Sequence, residues 1–87
     1  MSDAQAVLDR YAARRQRQRE IYAECEAVAS GAEMSQERAV ELLAEAAGLG
    51  DDEVQHSIGD DVIIAFIRSR GFHDVADAWD KLGKWYA

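Results

Sequence analysis

DDVIIAFIRSRG, Asp60 to Gly71, is the stretch whose reading decides the fold. Val62, Ile63, Ile64, Phe66 and Ile67 are large and apolar, with only Ala65 small among them. At about 100° per residue these side chains point nearly all the way round a helix. A helix that is apolar all round is buried on most sides. VIIAFI also has the composition of a strand, and periodicity alone does not separate the two. The rest of the chain offers no second strand to pair with it, and a lone strand is not stable. The reading is therefore a buried central helix over residues 62–67, stopped by Gly71.

The segments around it each show one apolar face. Just upstream, Asp51 can cap a short helix to Ser57 that contributes Val54 and Ile58, with Gly59 ending it. Before that, Ser35 is a good N-cap for QERAVELLAEAAG, where Val40, Leu43 and Ala47 share a face with Leu42 beside them. Gly48 is placed to end this helix, with Leu49 as the hydrophobic contact that often follows. Downstream, Asp74 can cap a last helix, and Val75, Trp79, Leu82 and Tyr86 fall on one face of it. Trp85 lies just off that face. The first segment runs from about residue 3 to 30, opened by Ser2 or Asp3 and closed by Ser30-Gly31. At about 1.5 Å per residue it spans roughly 40 Å, more than a bundle of this size needs. Its heptad seam is Ala4, Leu8, Tyr11, Arg15, Gln18, Tyr22, Cys25 and Ala29, widened by Val7, Ile21 and Val28. The seam is apolar at both ends and polar in the middle. The predicted fold is all-α: a single domain over residues 1–87, a long N-terminal helix followed by a bundle over about 35–87, four to five helices in all.

Length and composition bound what such a domain does. Eighty-seven residues with 48% apolar content fold as one small domain. There is no proline. The net charge is −7, which opposes nonspecific binding to phosphate backbones. One cysteine, Cys25, cannot close an intramolecular disulfide, and the expected setting is a reducing one, the cytoplasm. No run approaches the roughly 20 apolar residues of a membrane span, and the N-terminus lacks the apolar core of a signal peptide.

Charge is distributed unevenly. Residues 1–19 hold Arg10, Arg14, Arg15, Arg17 and Arg19 against Asp3 and Asp9. Glu20, Glu24 and Glu26 follow in the same helix, an order opposite to what the helix dipole favours. From Glu33 to Asp61 there are nine acids against Arg38 alone. Glu37, Glu41 and Glu45 form an i, i+4, i+8 row, which costs about 0.2–0.5 kcal/mol per like-charged pair. Asp51, Asp52 and Glu53 continue that surface. A one-sided field of this kind attracts a basic partner. The arginines offer the alternative: guanidinium forks that grip phosphate or the acidic surface of another subunit. Over eight residues, ARRQRQRE resembles the arginine-rich peptides of phage antiterminators.

Catalytic and metal signatures are absent from the spacing. His56 and His73 stand apart, and no zinc pattern, HExxH, GxSxG or phosphate loop occurs. LAEAAGLGDDEVQHSIG has helix-turn-helix spacing. However, Ser57 occupies an apolar position, and Asp51, Asp52 and Glu53 would face phosphates they repel, so the motif reads as a packing shape. No cofactor is expected.

In size, acidity and helical content the chain resembles the small inhibitors that phages and other mobile elements encode, the anti-CRISPR and anti-restriction proteins. That resemblance implies a non-enzymatic interaction module whose acidic face, Glu37, Glu41, Glu45, Asp51, Asp52 and Glu53, binds a basic nucleic-acid-handling protein. The alternative expectation is a nucleic-acid-binding or regulatory protein using the arginine helix. A homodimer through the long first helix is the further expectation, because its seam exceeds what one small bundle covers.

Overall fold

Four helices make up the regular structure of residues 2–82, which are those the computed structural model describes: α1, Ser2–Ala29; α2, Gln36–Ala46; α3, Asp52–Ser69; and α4, His73–Asp80. Local chemistry sets most of their ends. Ser35 caps α2 by accepting from the Arg38 backbone N–H at 3.0 Å, and Asp51 caps α3 by accepting from Val54 at 3.0 Å. Gly31, Gly50 and Gly71 take positive φ at the three turns, a conformation that costs residues with a Cβ. α2 ends at Ala46 with Ala47 as its C-cap, so Gly48 follows the helix end as expected, with Leu49 buried behind it, while the left-handed residue of that turn is Gly50.

α3 is the centre. It packs against α1, α2 and α4. It is also one continuous helix of 18 residues, where the sequence reading placed two helices broken at Gly59. Gly59 passes through because Ile58, Val62 and Ala65 lie on one face of an unbroken helix and are all buried. Packing of that face outweighs the roughly 1 kcal/mol that a mid-helix glycine costs. A Cβ built on Gly59 would meet Leu43 Cδ2 at 3.8 Å, an ordinary contact. Gly59→Ala is therefore expected to stabilise the fold by about 0.5–1 kcal/mol, read from the midpoint of chemical denaturation. A loss of stability would place a real break at this position.

The apolar stretch that opened the sequence reading is only partly enclosed. Val62 and Ala65 are buried, Ile64, Phe66 and Ile67 are half-buried, and Ile63 remains 44% exposed. Three neighbours, one of them eight residues long, do not surround α3.

Two apolar faces are rotated from expectation. In α2 the buried residues are Ala39, Leu42 and Ala46, while Val40 is 59% exposed, Leu43 is half-buried and Ala47 is exposed. In α4 the buried residue is Ala76, while Val75, Trp79 and Leu82 stay exposed. Small side chains turn inward in both helices because they let short helices approach α3 closely. α4 starts at His73 after Phe72, without a side-chain cap, so Asp74 falls inside its first turn. Tyr86 and Trp85 lie outside the described residues. The core is Ile21, Cys25 and Val28 of α1, Met34 of the following loop, the small face of α2, Leu49, and the Ile58–Val62–Ala65 face of α3.

Candidate functional site

The relative direction of the helices determines what α1 exposes. Arg38 of α2 meets Glu24, and Glu45 meets Arg17, so α2 runs antiparallel to α1. Tyr22 meets Ser57, and Met34 meets Ser69, so α3 runs parallel to α1. α2 therefore gives out near Arg17, while the cap and first turn of α3 reach as far as Tyr11 across a cleft. Ahead of that level α1 continues without them, and the residues expected on its seam lie bare: Val7 is 53% exposed, Leu8 60% and Tyr11 53%. Buried α1 residues begin only at Ile21. Residues 2–10 thus overhang the bundle by roughly 14 Å.

Arg10 lies on this overhang, with Arg14 and Arg15 at its base. Arg10 and Arg14 make no ion pair among the described residues. Arg15 donates to the Tyr11 hydroxyl at 3.1 Å and lies over its ring, 5.8 Å from the centroid. Arg19 donates to Gln16 at 2.7 Å. Arg17 differs: it grips both carboxylate oxygens of Glu45 and reaches Glu20 at 3.2 Å. At the level of Gln18, a cleft of about 230 Å³ opens between Tyr11, Arg14 and Arg15 of α1 and Gly50, Asp51 and Val54.

The acidic row is divided by these pairings. Glu45 is held by Arg17, and Glu41 by Arg38 at 3.0 Å. Arg38 also binds both oxygens of Glu24, each at 2.7 Å. The i, i+4 repulsion within the row is thus offset by arginines brought to it. Asp51 is engaged as the α3 cap. Glu37, Asp52 and Glu53 are exposed, without an ion pair among the described residues. The sequence-level reading found every charge here but not the pairs across helices, Arg17 with Glu45 at a separation of 28 residues and Arg38 with Glu24 at 14.

These pairs leave a pH signature. The Arg38 guanidinium holds the Glu24 carboxyl below its ordinary value of 4.5, and Arg17 does the same to Glu45. Each carboxyl then binds its proton less readily folded than unfolded. Its contribution is fully present above the unfolded value and is lost as pH falls through the lower folded one. The four side chains keep 30–37% of their surface in solvent, so screening limits each pair to about 0.5–1 kcal/mol. The urea midpoint is expected to fall once pH drops below about 4.5. In Glu24→Gln with Glu45→Gln the neutral plateau is lower and the acid decline shallower. An acid limb of unchanged steepness in that variant would assign the decline to other carboxyls.

Two further features complete the surface. Ser57, polar where helix-turn-helix spacing wants an apolar residue, shares a hydrogen bond of 3.0 Å with the Tyr22 hydroxyl. A cleft of about 370 Å³ between α1, α3 and the end of α4 has Cys25 at its wall, with Glu26, Asp61 and Arg68 around it. Burial, reinforced by Asp61 and Glu24, pushes the Cys25 thiol up to about 11. It stays protonated at neutral pH and packs as a small apolar group. Among the described residues no three His, Cys, Asp or Glu side chains come together as a metal site. No helix of the described residues is long and apolar enough to cross a membrane. No protein-family model, curated protein or solved structure matches the chain.

Proposed function

We propose that this chain is a non-enzymatic protein-interaction module and that the overhanging part of α1 meets the partner. The observation that carries this reading is the bare Val7, Leu8 and Tyr11 row on a helix whose neighbours reach no further than Tyr11. An isolated helix shorter than about twelve residues is marginal in water, so the overhang needs either its continuity with the bundle or a second surface to stay formed. With Arg10, Arg14 and Arg15 flanking the apolar row, the fitting surface is apolar with an acidic rim. A lone, buried Cys25 suits a reducing, cytoplasmic setting.

The resemblance to phage and mobile-element inhibitors supports a second, narrower version, in which the acidic surface binds a basic nucleic-acid-handling protein. Exposed Glu37, Asp52 and Glu53 favour it, whereas a partner reaching Glu41 or Glu45 must compete with Arg38 and Arg17. The nucleic-acid alternative rests on Arg10, Arg14, Arg15 and Arg19, all exposed on α1.

One affinity capture separates the three. The intact chain is compared with Leu8→Asp plus Tyr11→Asp, with Glu37→Lys plus Glu53→Lys, and with Arg10→Glu plus Arg14→Glu. Loss of captured protein in the first variant alone supports the α1 reading. Loss in the second alone moves the contact to the acidic surface. Salt-steep RNA binding abolished by the third would replace both with nucleic-acid recognition.

A further inference from the structure

Among the described residues an apolar groove of about 280 Å³ lies between the second half of α3 and α4. Ile63, Ile64 and Ile67 form one wall, Val75 and Trp79 the other, and Asp60 stands at its edge. Ile63 is 44% exposed, Val75 57% and Trp79 40%. Each wall is about one helical turn long, as is the Val7–Leu8–Tyr11 row, the repeat by which a helix seats in a groove.

The charges around the two elements are opposite. Residues 3–19 carry five arginines against Asp3 and Asp9. Residues 60–82 carry Asp60, Asp61, Asp74, Asp77 and Asp80 against Arg68, Arg70 and Lys81. Arg68 is already engaged by Asp77 at 2.8 Å and Asp80 at 2.9 Å. The arm cannot serve its own groove. α1 and α3 run parallel, and the arm overhangs the N-terminal end of α3, whereas Ile63 and Ile67 lie in the other half of that helix. Two arms laid on each other would set arginines against arginines, a like-charge contact that disfavours pairing.

We propose that a second copy of this chain fills the α3–α4 groove with Val7, Leu8 and Tyr11 of its α1, and that the exchange is reciprocal. The inference rests on the interaction reading above and names the partner of the same arm. Arg10 and Arg14 then lie toward the carboxylates of the receiving α3 and α4. Two reciprocal contacts close a two-fold dimer, which leaves neither an arm nor a groove open for further growth.

Sedimentation equilibrium on the full chain tests this, with circular dichroism confirming that each variant stays folded. The intact protein is expected to be dimeric at micromolar concentration, and Leu8→Asp and Val75→Glu each weaken the dimer at least about tenfold. Mixing those two variants restores a mixed dimer, because one sound arm meets one sound groove. Raising salt to about 0.5 M weakens the intact dimer, as screening of complementary charge requires. A dimer lost in Leu8→Asp but unchanged in Val75→Glu would overturn the groove and leave arm-on-arm pairing. An intact protein that is monomeric at several hundred micromolar would overturn self-association altogether. If that monomer still captured another protein through Leu8 and Tyr11, the interaction reading would survive the loss of this inference.

Discussion

Leu42→Ala lowers the unfolding free energy by about 2–5 kcal/mol, and Val40→Ala changes it by no more than about 0.5 kcal/mol. The two positions are two residues apart on α2 and so face opposite ways, about 200° round the helix. Leu42 is fully enclosed, within the cluster that joins Ile21, Ile58 and Val62. Truncating it removes apolar contacts and leaves a cavity among Ile21, Ile58 and Val62. Val40 is 59% exposed, and replacing a β-branched residue with Ala on a helix surface is mildly favourable. Chemical denaturation of both variants gives the comparison directly. A large loss at Val40 with a small one at Leu42 would rotate α2 to the face that apolar spacing alone suggests.

Ser69→Ala carries the second largest expected effect, a loss of about 1–3 kcal/mol. The Ser69 hydroxyl accepts from the Met34 backbone N–H at 2.7 Å and donates to the Met34 carbonyl at 3.2 Å. Met34 itself is buried, in the loop between α1 and α2. One hydroxyl thus satisfies both polar groups of a buried peptide position and ties that loop to the end of α3. Alanine leaves a donor and an acceptor without partners, and their desolvation is the cost. Ser69→Thr keeps the hydroxyl and is expected to recover most of the stability, measured by the same denaturation. Equal losses in both variants would assign the effect to packing around Cβ rather than to the hydrogen bonds.

Such ties also bear on the arm. Everything that holds α1 to the bundle, from Arg17–Glu45 through Tyr22–Ser57 to the Ile21, Cys25 and Val28 contacts, lies in its second half. The first half is left with local hydrogen bonds such as Gln5 to Asp9 at 2.8 Å and Arg15 to Tyr11. A surface that adds contacts there therefore acts on a segment the core does not secure.

Helix class, the caps at Ser35 and Asp51, the stops at Gly31 and Gly71, and the excess length of α1 were all determined by the sequence alone. Each depends on interactions within about four residues, so local chemistry decides them. The faces of α2 and α4 were decided only by the tertiary structure. Ala39, Leu42 and Ala46 form one apolar row on α2, and Val40, Leu43 and Ala47 form another about 100° away. Nothing within the helix ranks the two rows; close approach to α3 does, and it selects the one with Ala39 in place of Val40. Gly59 breaks a helix on local preference and is carried through by the burial of Ile58, Val62 and Ala65. The charged residues of both candidate surfaces were legible as residues, but not as pairs. Glu45 and Glu41 look like free carboxylates until the antiparallel course of α2 beside α1 brings Arg17 to one, and Arg38, on α2 itself, takes the other along with Glu24. Which arginines remain available, and that they sit on or at the base of a helix end beyond the bundle, follows from where α2 ends and α3 begins, a length relation between distant segments that no local pattern encodes.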